Sequence, residues 1–232
     1  MPLQRSDDCA ATALERPEIR LVLAISLDGR LAPAEGGAAQ LGGKGDRRAL
    51  ETALAWADVC LMGAGTLRAH QCTCLIRNGA LLQERVNQGR SAQPAAVVVS
   101  RGNVFPQQWR FFRQPLERWL LAPKAPAQGF DRWIPLGLSW PDRLAALHSF
   151  GVRRLVLLGG ASLAAELLQA DCVDALQLTL VPTLLGGPHT WLPADQGRLP
   201  SQMMGAGAWN CDGVEDLGDG EMMLRYRRKR QH

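Results

Sequence analysis

The sequence twice places glycines where an apolar run hands over to what reads as a helix. In "RLVLLGGASLA" (residues 154–164), Gly159 and Gly160 follow four apolar residues and precede Ala161 and Ser162. Glycine lets a backbone approach a ligand with no Cβ in the way. A helix start offers free N–H groups and the positive dipole end to an anion, and Ser162 adds a hydroxyl donor. Two readings of this stretch stay open, a phosphate cradle and a plain tight turn. "CLMGAGTLRA" (residues 60–69) repeats the arrangement with Gly63, Gly65 and Thr66. Position 68 is Arg, so the GxGxxG dinucleotide fingerprint is not met. A GxGT turn still suits a pyrophosphate, with an ordinary β-turn as the alternative.

Other polar residues stand at useful places. Ser100 and Arg101 follow the apolar run "PAAVVV", where a hydroxyl and a guanidinium would tell a 2′-phosphate from a bare ribose hydroxyl. Arg77 closes the stretch "RAHQCTCLIR" and suits a substrate phosphate, or is a solvated surface arginine. His70, Cys72 and Cys74 precede it, but no second CxxC or HxxxH supplies a fourth zinc ligand, so no metal site is expected. The loop "GGAAQLGGKGD" fails as a P-loop, because position 43 is Gly and Lys44 is followed by Gly45.

These residues need a scaffold. "EIRLVLAISLDGRLA" is apolar on both faces through Leu21–Ile25, as in a strand buried inside a sheet, and Asp28-Gly29 makes a turn. "DRRALETALAWADV" has helical spacing, with Asp46 as its expected N-cap. Further strands are predicted at "DVCLMG", "PAAVVV", "RWLLA", "RRLVLL", "ALQLTLV" and "EMMLRYRR", and helices at "GALLQERVNQGR", "DRLAALHSFG" and "ASLAAELLQAD". The segment from Gln71 to Gln93 is otherwise hard to place. Strands and helices alternate, so the class is α/β, one domain with a mostly parallel sheet. The last two predicted strands lack a helix between them, which predicts an antiparallel edge, with "EMMLRYRR" as the outer strand.

The chain has 232 residues, 47% hydrophobic and 21% charged, with a net charge of +4. That suits one sizeable domain and is too small an excess to argue for nucleic acid. The opening "MPLQRSDDCAATALERP" has no apolar run of signal-peptide length. No stretch approaches a membrane span, and a cytoplasmic protein with a mobile tail over residues 1–16 is expected. The six cysteines are then expected as reduced thiols, Cys60 and Cys172 as small core residues.

Taken in order, "LVLAISLDGRLA", "DVCLMGAGTLRA", "LVLLGGASLAAELL" and "VDALQLTLVPTLLGG" resemble four motifs of one family. It is the reductase domain of the bifunctional riboflavin-biosynthesis deaminase/reductase, a relative of dihydrofolate reductase. The resemblance runs from Pro17 to the end, so residues 17–232 are expected to form a reductase domain with no deaminase domain before it. It implies a dihydrofolate reductase-like fold, a homodimer, and NADPH as hydride donor. The implied substrate is 5-amino-6-(5-phosphoribosylamino)uracil, whose ribosyl group is reduced to the ribityl compound. Gly63, Gly65, Thr66, Gly159, Gly160, Ala161 and Ser162 would line the cofactor, with Ser100 and Arg101 on its 2′-phosphate. Ser26 and Asp28 would face the reacting ribosyl group, Asp28 orienting substrate or relaying a proton, and Arg77 would take the substrate phosphate.

The chain departs from the family at identifiable places. Leu158 stands where Glu usually precedes the glycine pair, and His70-Gln71-Cys72 replaces Asp-Asp-Pro. Gln40-Leu41-Gly42 replaces Trp-Ile-Thr, and Leu54 replaces an Arg. Most of these fall on the substrate side. Two alternatives follow: a reductase of a different pterin- or pyrimidine-like substrate, and a catalytically impaired relative that still binds NADPH.

Overall fold

Leu21 to Ile25 lie in an inner strand of a sheet that is covered on both faces. The computed structural model describes residues 15–37, 41–126, 128–137, 139–193 and 197–230. Strand β1 (Glu18–Ser26) sends Ile19, Leu21, Leu23 and Ile25 to one core and Val22 to the other. The same alternation runs through β2 (Val59–Gly63), β3 (Ala95–Val99) and β6 (Arg154–Leu157). A strand with apolar residues on both faces must be covered on both, which is why its sequence reads as a continuous apolar run. Helices α4 (Trp140–Ser149) and α5 (Ala161–Gln169) cover the first face; α1 (Lys44–Trp56) and α2 (Ala64–His70) cover the second.

The remaining elements are α3 (Gly79–Asn87), β4 (Arg118–Ala122), β5 (Arg132–Pro135), β7 (Ala175–Val181), α6 (Ser201–Met204), β8 (Trp209–Gly218) and β9 (Glu221–Arg228). The nine strands form one sheet in the order β5-β4-β3-β2-β6-β1-β7-β9-β8. The first seven are mutually parallel, and β9 and β8 are antiparallel. The α/β class with an antiparallel edge is as expected.

Two expectations need correction. β9 is not the outer strand: it lies between β7 and β8, and β8 forms the edge. The N-cap of α1 is Gly43, and Asp46 sits in the first turn. Capping comes from far away in sequence, because the buried carboxylate of Glu221 accepts the N–H groups of Gly43 and Asp46, the latter at 3.1 Å. A carboxylate at a helix N-terminus satisfies orphan donors and complements the dipole.

The other end of α1 is closed by cations. Arg85, 2% exposed, donates to the carbonyls of Leu54, Ala55 and Ala57. Arg90 reaches Ala55, Trp56 and Ala57. Leu54, where the family usually has Arg, is fully buried in the second core. Of the expected tail, residues 1–14 lie outside the described residues, and Arg16 is held by Asp174 at 2.6 and 2.7 Å. Cys60 and Cys172 are buried, and burial pushes the Cys60 thiol up to about 12. Among the described residues no helix is long and apolar enough to cross a membrane.

Candidate active site

Strand β6 inserts between β1 and β2, although it follows β2 by some ninety residues of chain and β1 by still more. That insertion brings the two glycine turns together, since one follows β2 and the other follows β6. Their backbones touch: the Gly63 N–H donates to the Gly159 carbonyl at 3.2 Å. Gly159 has φ +92°, a left-handed conformation that favours glycine, and the Gly159–Gly160 peptide is cis. A Cβ on Gly160 would lie 3.0 Å from the Thr66 hydroxyl.

The turns form one wall of a cavity of about 1380 Å³ at the carboxyl ends of β1, β2, β3 and β6. Open parallel sheets bind ligands at that end, and the volume exceeds what a single small ligand needs. All nine residues expected to hold the cofactor (Gly63, Gly65, Thr66, Ser100, Arg101, Gly159, Gly160, Ala161 and Ser162) line this cavity. Gly160 caps α5 with no side-chain hydrogen bond, so the first N–H groups of that helix are left for a ligand. A Cβ at Gly65 would meet nothing within 4 Å, so the backbone there faces open space. Ser100, buried at the end of β3, accepts the Gly102 N–H at 3.1 Å, and Arg101 is exposed beside it. These features fit a phosphate-rich dinucleotide.

Arg77 lines the same cavity and is exposed. The irregular segment over residues 73–78 positions it, and three buried side chains stitch that segment in place of a strand ladder. Gln114 bonds both the N–H and the carbonyl of Thr73, and Gln93 does the same for Ile76. Glu51 accepts the N–H groups of Arg77 and Asn78 at 2.9 and 2.8 Å. Burial alone would raise the Glu51 carboxyl, but the Arg47 guanidinium and these two amides outweigh it and lower the value. Backbone that cannot join a sheet is thus satisfied by side chains.

Ser26 and Asp28 were expected to face the substrate, but neither is among the residues lining the cavity. Ser26 is fully buried; its hydroxyl donates to Asp28 at 2.5 Å and accepts the Arg30 N–H at 2.9 Å. Asp28 also accepts the N–H groups of Leu185 and Gly186 at 3.1 and 2.8 Å. The Ser26 hydroxyl and these amides hold its carboxyl down at about 2. Asp28 therefore ties the turn after β1 to the loop after β7, whose residues Pro188, His189 and Thr190 line the cavity. It is a positioning residue for that loop.

Asp46 escaped the sequence reading as a cavity residue, and Leu158, one of the departures from the family, joins it in the wall. Asp46 lines the cavity from the first turn of α1, and burial, followed by the charge of Glu221, raises its carboxyl. Leu158 lines it too, packed against the second core. His70, Cys72 and Cys74 also line the cavity, but no three His, Cys, Asp or Glu side chains converge as a metal site among the described residues. Leu41 and Gly42 line the wall, whereas Gln40 lies outside the described residues.

Comparison with known proteins agrees with this architecture. The chain is 24% identical over 182 residues to the 2,5-diamino-6-ribosylamino-4(3H)-pyrimidinone 5′-phosphate reductase of Archaeoglobus fulgidus, covering 74% of this chain and 83% of that protein. It is 28% identical over 205 residues to the riboflavin biosynthesis protein RibD of Mycobacterium tuberculosis, covering 87% of this chain and 52% of that protein. The chain thus spans about half the length of the RibD protein it matches. Among solved structures, the deaminase/reductase of Thermotoga maritima superimposes with a TM-score of 0.73 at 20% identity, over 92% of this chain and 57% of that one. Dihydrofolate reductase from Enterococcus faecalis gives 0.56 at 13% identity, over 92% and 97%, a likeness of fold. The model of the RibD C-terminal domain matches residues 17–221, from the residue before β1 to the first residue of β9. By that match, the chain belongs to the RibD C-terminal domain family.

Proposed function

We propose that this chain reduces the ribosyl group of a 6-ribosylamino-pyrimidine 5′-phosphate to the ribityl compound, with NADPH as hydride donor. The observation that carries the reading is the contact of the two glycine turns along one wall of a cavity that also holds Arg77. The substrate class includes the phosphoribosylamino-uracil that the family resemblance implies and the 2,5-diamino-pyrimidinone named for the archaeal relative.

In this reading the amides at the start of α5 and the backbone of Gly63 and Gly65 take the cofactor's phosphates. Ser100 and Arg101 take its 2′-phosphate and thereby discriminate against NADH. When bound, the cofactor would supply a hydride to the ribosyl carbon attached to the 6-amino nitrogen; the ring C–O bond at that carbon opens and its oxygen takes a proton from solvent, so the sugar gains two hydrogens. Arg77 holds the substrate's 5′-phosphate, fixing the sugar relative to the glycine wall. Asp28 keeps the loop that carries His189 against the cavity. The same reading takes the enzyme as a cytoplasmic homodimer.

Mass spectrometry of the product tests the reaction directly. The expected product is heavier than the substrate by two hydrogens, with the sugar opened to a ribityl chain. A product of unchanged mass, or one reduced on the ring, overturns the reading. Leu158 in the cavity wall favours a second reading within the same chemistry, a different pterin- or pyrimidine-like ring.

A further inference from the structure

The run from His70 to Cys74 has no role in the proposed reaction, yet it places two thiols on the cavity wall. Cys72 and Cys74 both line the cavity, half-buried and free. Thr73, between them, is buried, and its hydroxyl stands 3.9 Å from the Cys60 sulfur in the second core. Gln114 fixes Thr73 through its N–H and its carbonyl, at 2.8 and 2.7 Å. With the middle residue held in this way, the thiols on either side share the cavity, and each lies within range of the other's charge.

The same segment carries Arg77, three residues beyond Cys74. Glu51 accepts the Arg77 N–H at 2.9 Å, so one stitched stretch of backbone sets both the thiols and the guanidinium. The remaining described cysteines are placed differently. Cys60 and Cys172 are buried, which denies them a reaction partner. Cys211 is exposed on β8, outside the cavity lining.

We propose that Cys72 and Cys74 are a paired modification site, which a low-molecular-weight disulfide oxidises to an intrachain disulfide that turns off the substrate side of the cavity. The effect on catalysis rests on the proposed reductase function; the pairing of the thiols does not. The Cys72 thiol gives up its proton and attacks one sulfur of the small disulfide. That S–S bond breaks, and the first small thiolate leaves and takes the proton. The Cys74 thiol, raised by burial, is the resolving partner. Its sulfur attacks Cys72 and its proton goes to the second small thiol as that departs. Two protein thiols are thereby oxidised to one disulfide, and one small disulfide is reduced to two thiols. A bridge across Thr73 draws the flanking Cα atoms to about 5.5–6 Å and competes with the Gln114 bonds. Arg77 moves with the segment, whereas the glycine wall stands on other elements and keeps its geometry.

The test is a peptide mass joined to kinetics on the full chain. Trypsin cleavage after Arg68 and Arg77 releases "AHQCTCLIR", with both cysteines in one peptide. After treatment with glutathione disulfide this peptide is expected to be lighter by two hydrogens, and dithiothreitol is expected to restore it. On oxidation the KM for the phosphorylated pyrimidine should rise by about tenfold or more, with NADPH affinity unchanged. This response should vanish in the Cys72→Ser/Cys74→Ser double variant, compared with its own untreated form, and persist in Cys211→Ser. A peptide that stays reduced, or that carries glutathione on both cysteines, overturns the pairing. A response that survives the double variant, or a KM unchanged within about twofold in the oxidised chain, overturns the control of the substrate side. Failure of the reduced wild type to turn over a phosphoribosyl-pyrimidine overturns the functional reading, while the peptide mass still decides the pairing.

Discussion

Gly160 faces the side chain of Thr66 so closely that a Cβ on the glycine would lie 3.0 Å from the threonine hydroxyl. One residue belongs to the turn after β6 and the other to the turn after β2, and the Gly63–Gly159 hydrogen bond clamps the two. Gly160→Val would push the turns apart where the backbone must meet a phosphate. NADPH affinity should fall by about tenfold or more, because several charge-assisted hydrogen bonds lose their geometry together. Fluorescence titration checks this, and an unchanged Kd would remove the glycine wall from the cofactor site.

Arg77→Ala tests the other half of the cavity. The KM for a phosphorylated substrate should rise about tenfold to a hundredfold, as for a lost hydrogen bond to a charged group. NADPH affinity should not change. With the dephosphorylated ribosylamino-pyrimidine, wild type and variant should have the same KM, which separates a phosphate contact from a general distortion.

Asp28→Asn tests the tie between the turn after β1 and the loop after β7. The Asp28 carboxyl is held at about 2, below its ordinary 3.8. A lowered value means that the charged form stabilises the fold fully above the ordinary value, and that this contribution is lost as pH falls toward the folded one. The difference in Tm between wild type and variant should therefore be constant at neutral pH and shrink between pH 4 and pH 2. A difference that persists unchanged at pH 2 would contradict the carboxylate's role.

Arg85→Ala should be among the most damaging changes outside the cavity. It would take the charged donor from the Leu54 carbonyl, leave the Ala55 and Ala57 carbonyls to Arg90 alone, and open a gap in a buried place. A loss of about 3 kcal/mol or more in urea unfolding is expected for such a broken network.

Much of the fold was legible because buried parallel strands write themselves as apolar runs. The segments around Leu23, Leu61, Val97 and Val156 were read as strands for that reason, and the glycines after β2 and β6 marked one wall of the cavity. β5 was not legible, since only Ile134 of its four residues is buried. β8 was missed because its edge position leaves most of its side chains in solvent, so it carries no alternation. The residues 73–78 gave no pattern because their hydrogen bonds go to Gln93, Gln114 and Glu51, which are distant in sequence. The same limit explains the two carboxylates. Asp28 stands in a recognisable motif but is spent on a loop, and Asp46 looks like a helix cap until Glu221 is seen to occupy that place.

The most direct measurement is consumption of NADPH, followed by its absorbance, with a 6-ribosylamino-pyrimidine 5′-phosphate as substrate and NADH as the control cofactor. The account predicts rapid loss of NADPH, dependent on the pyrimidine, and little loss of NADH. NADPH that binds and is not consumed with either the uracil or the 2-amino compound would contradict it, leaving a cofactor-binding cavity whose substrate has to be sought elsewhere.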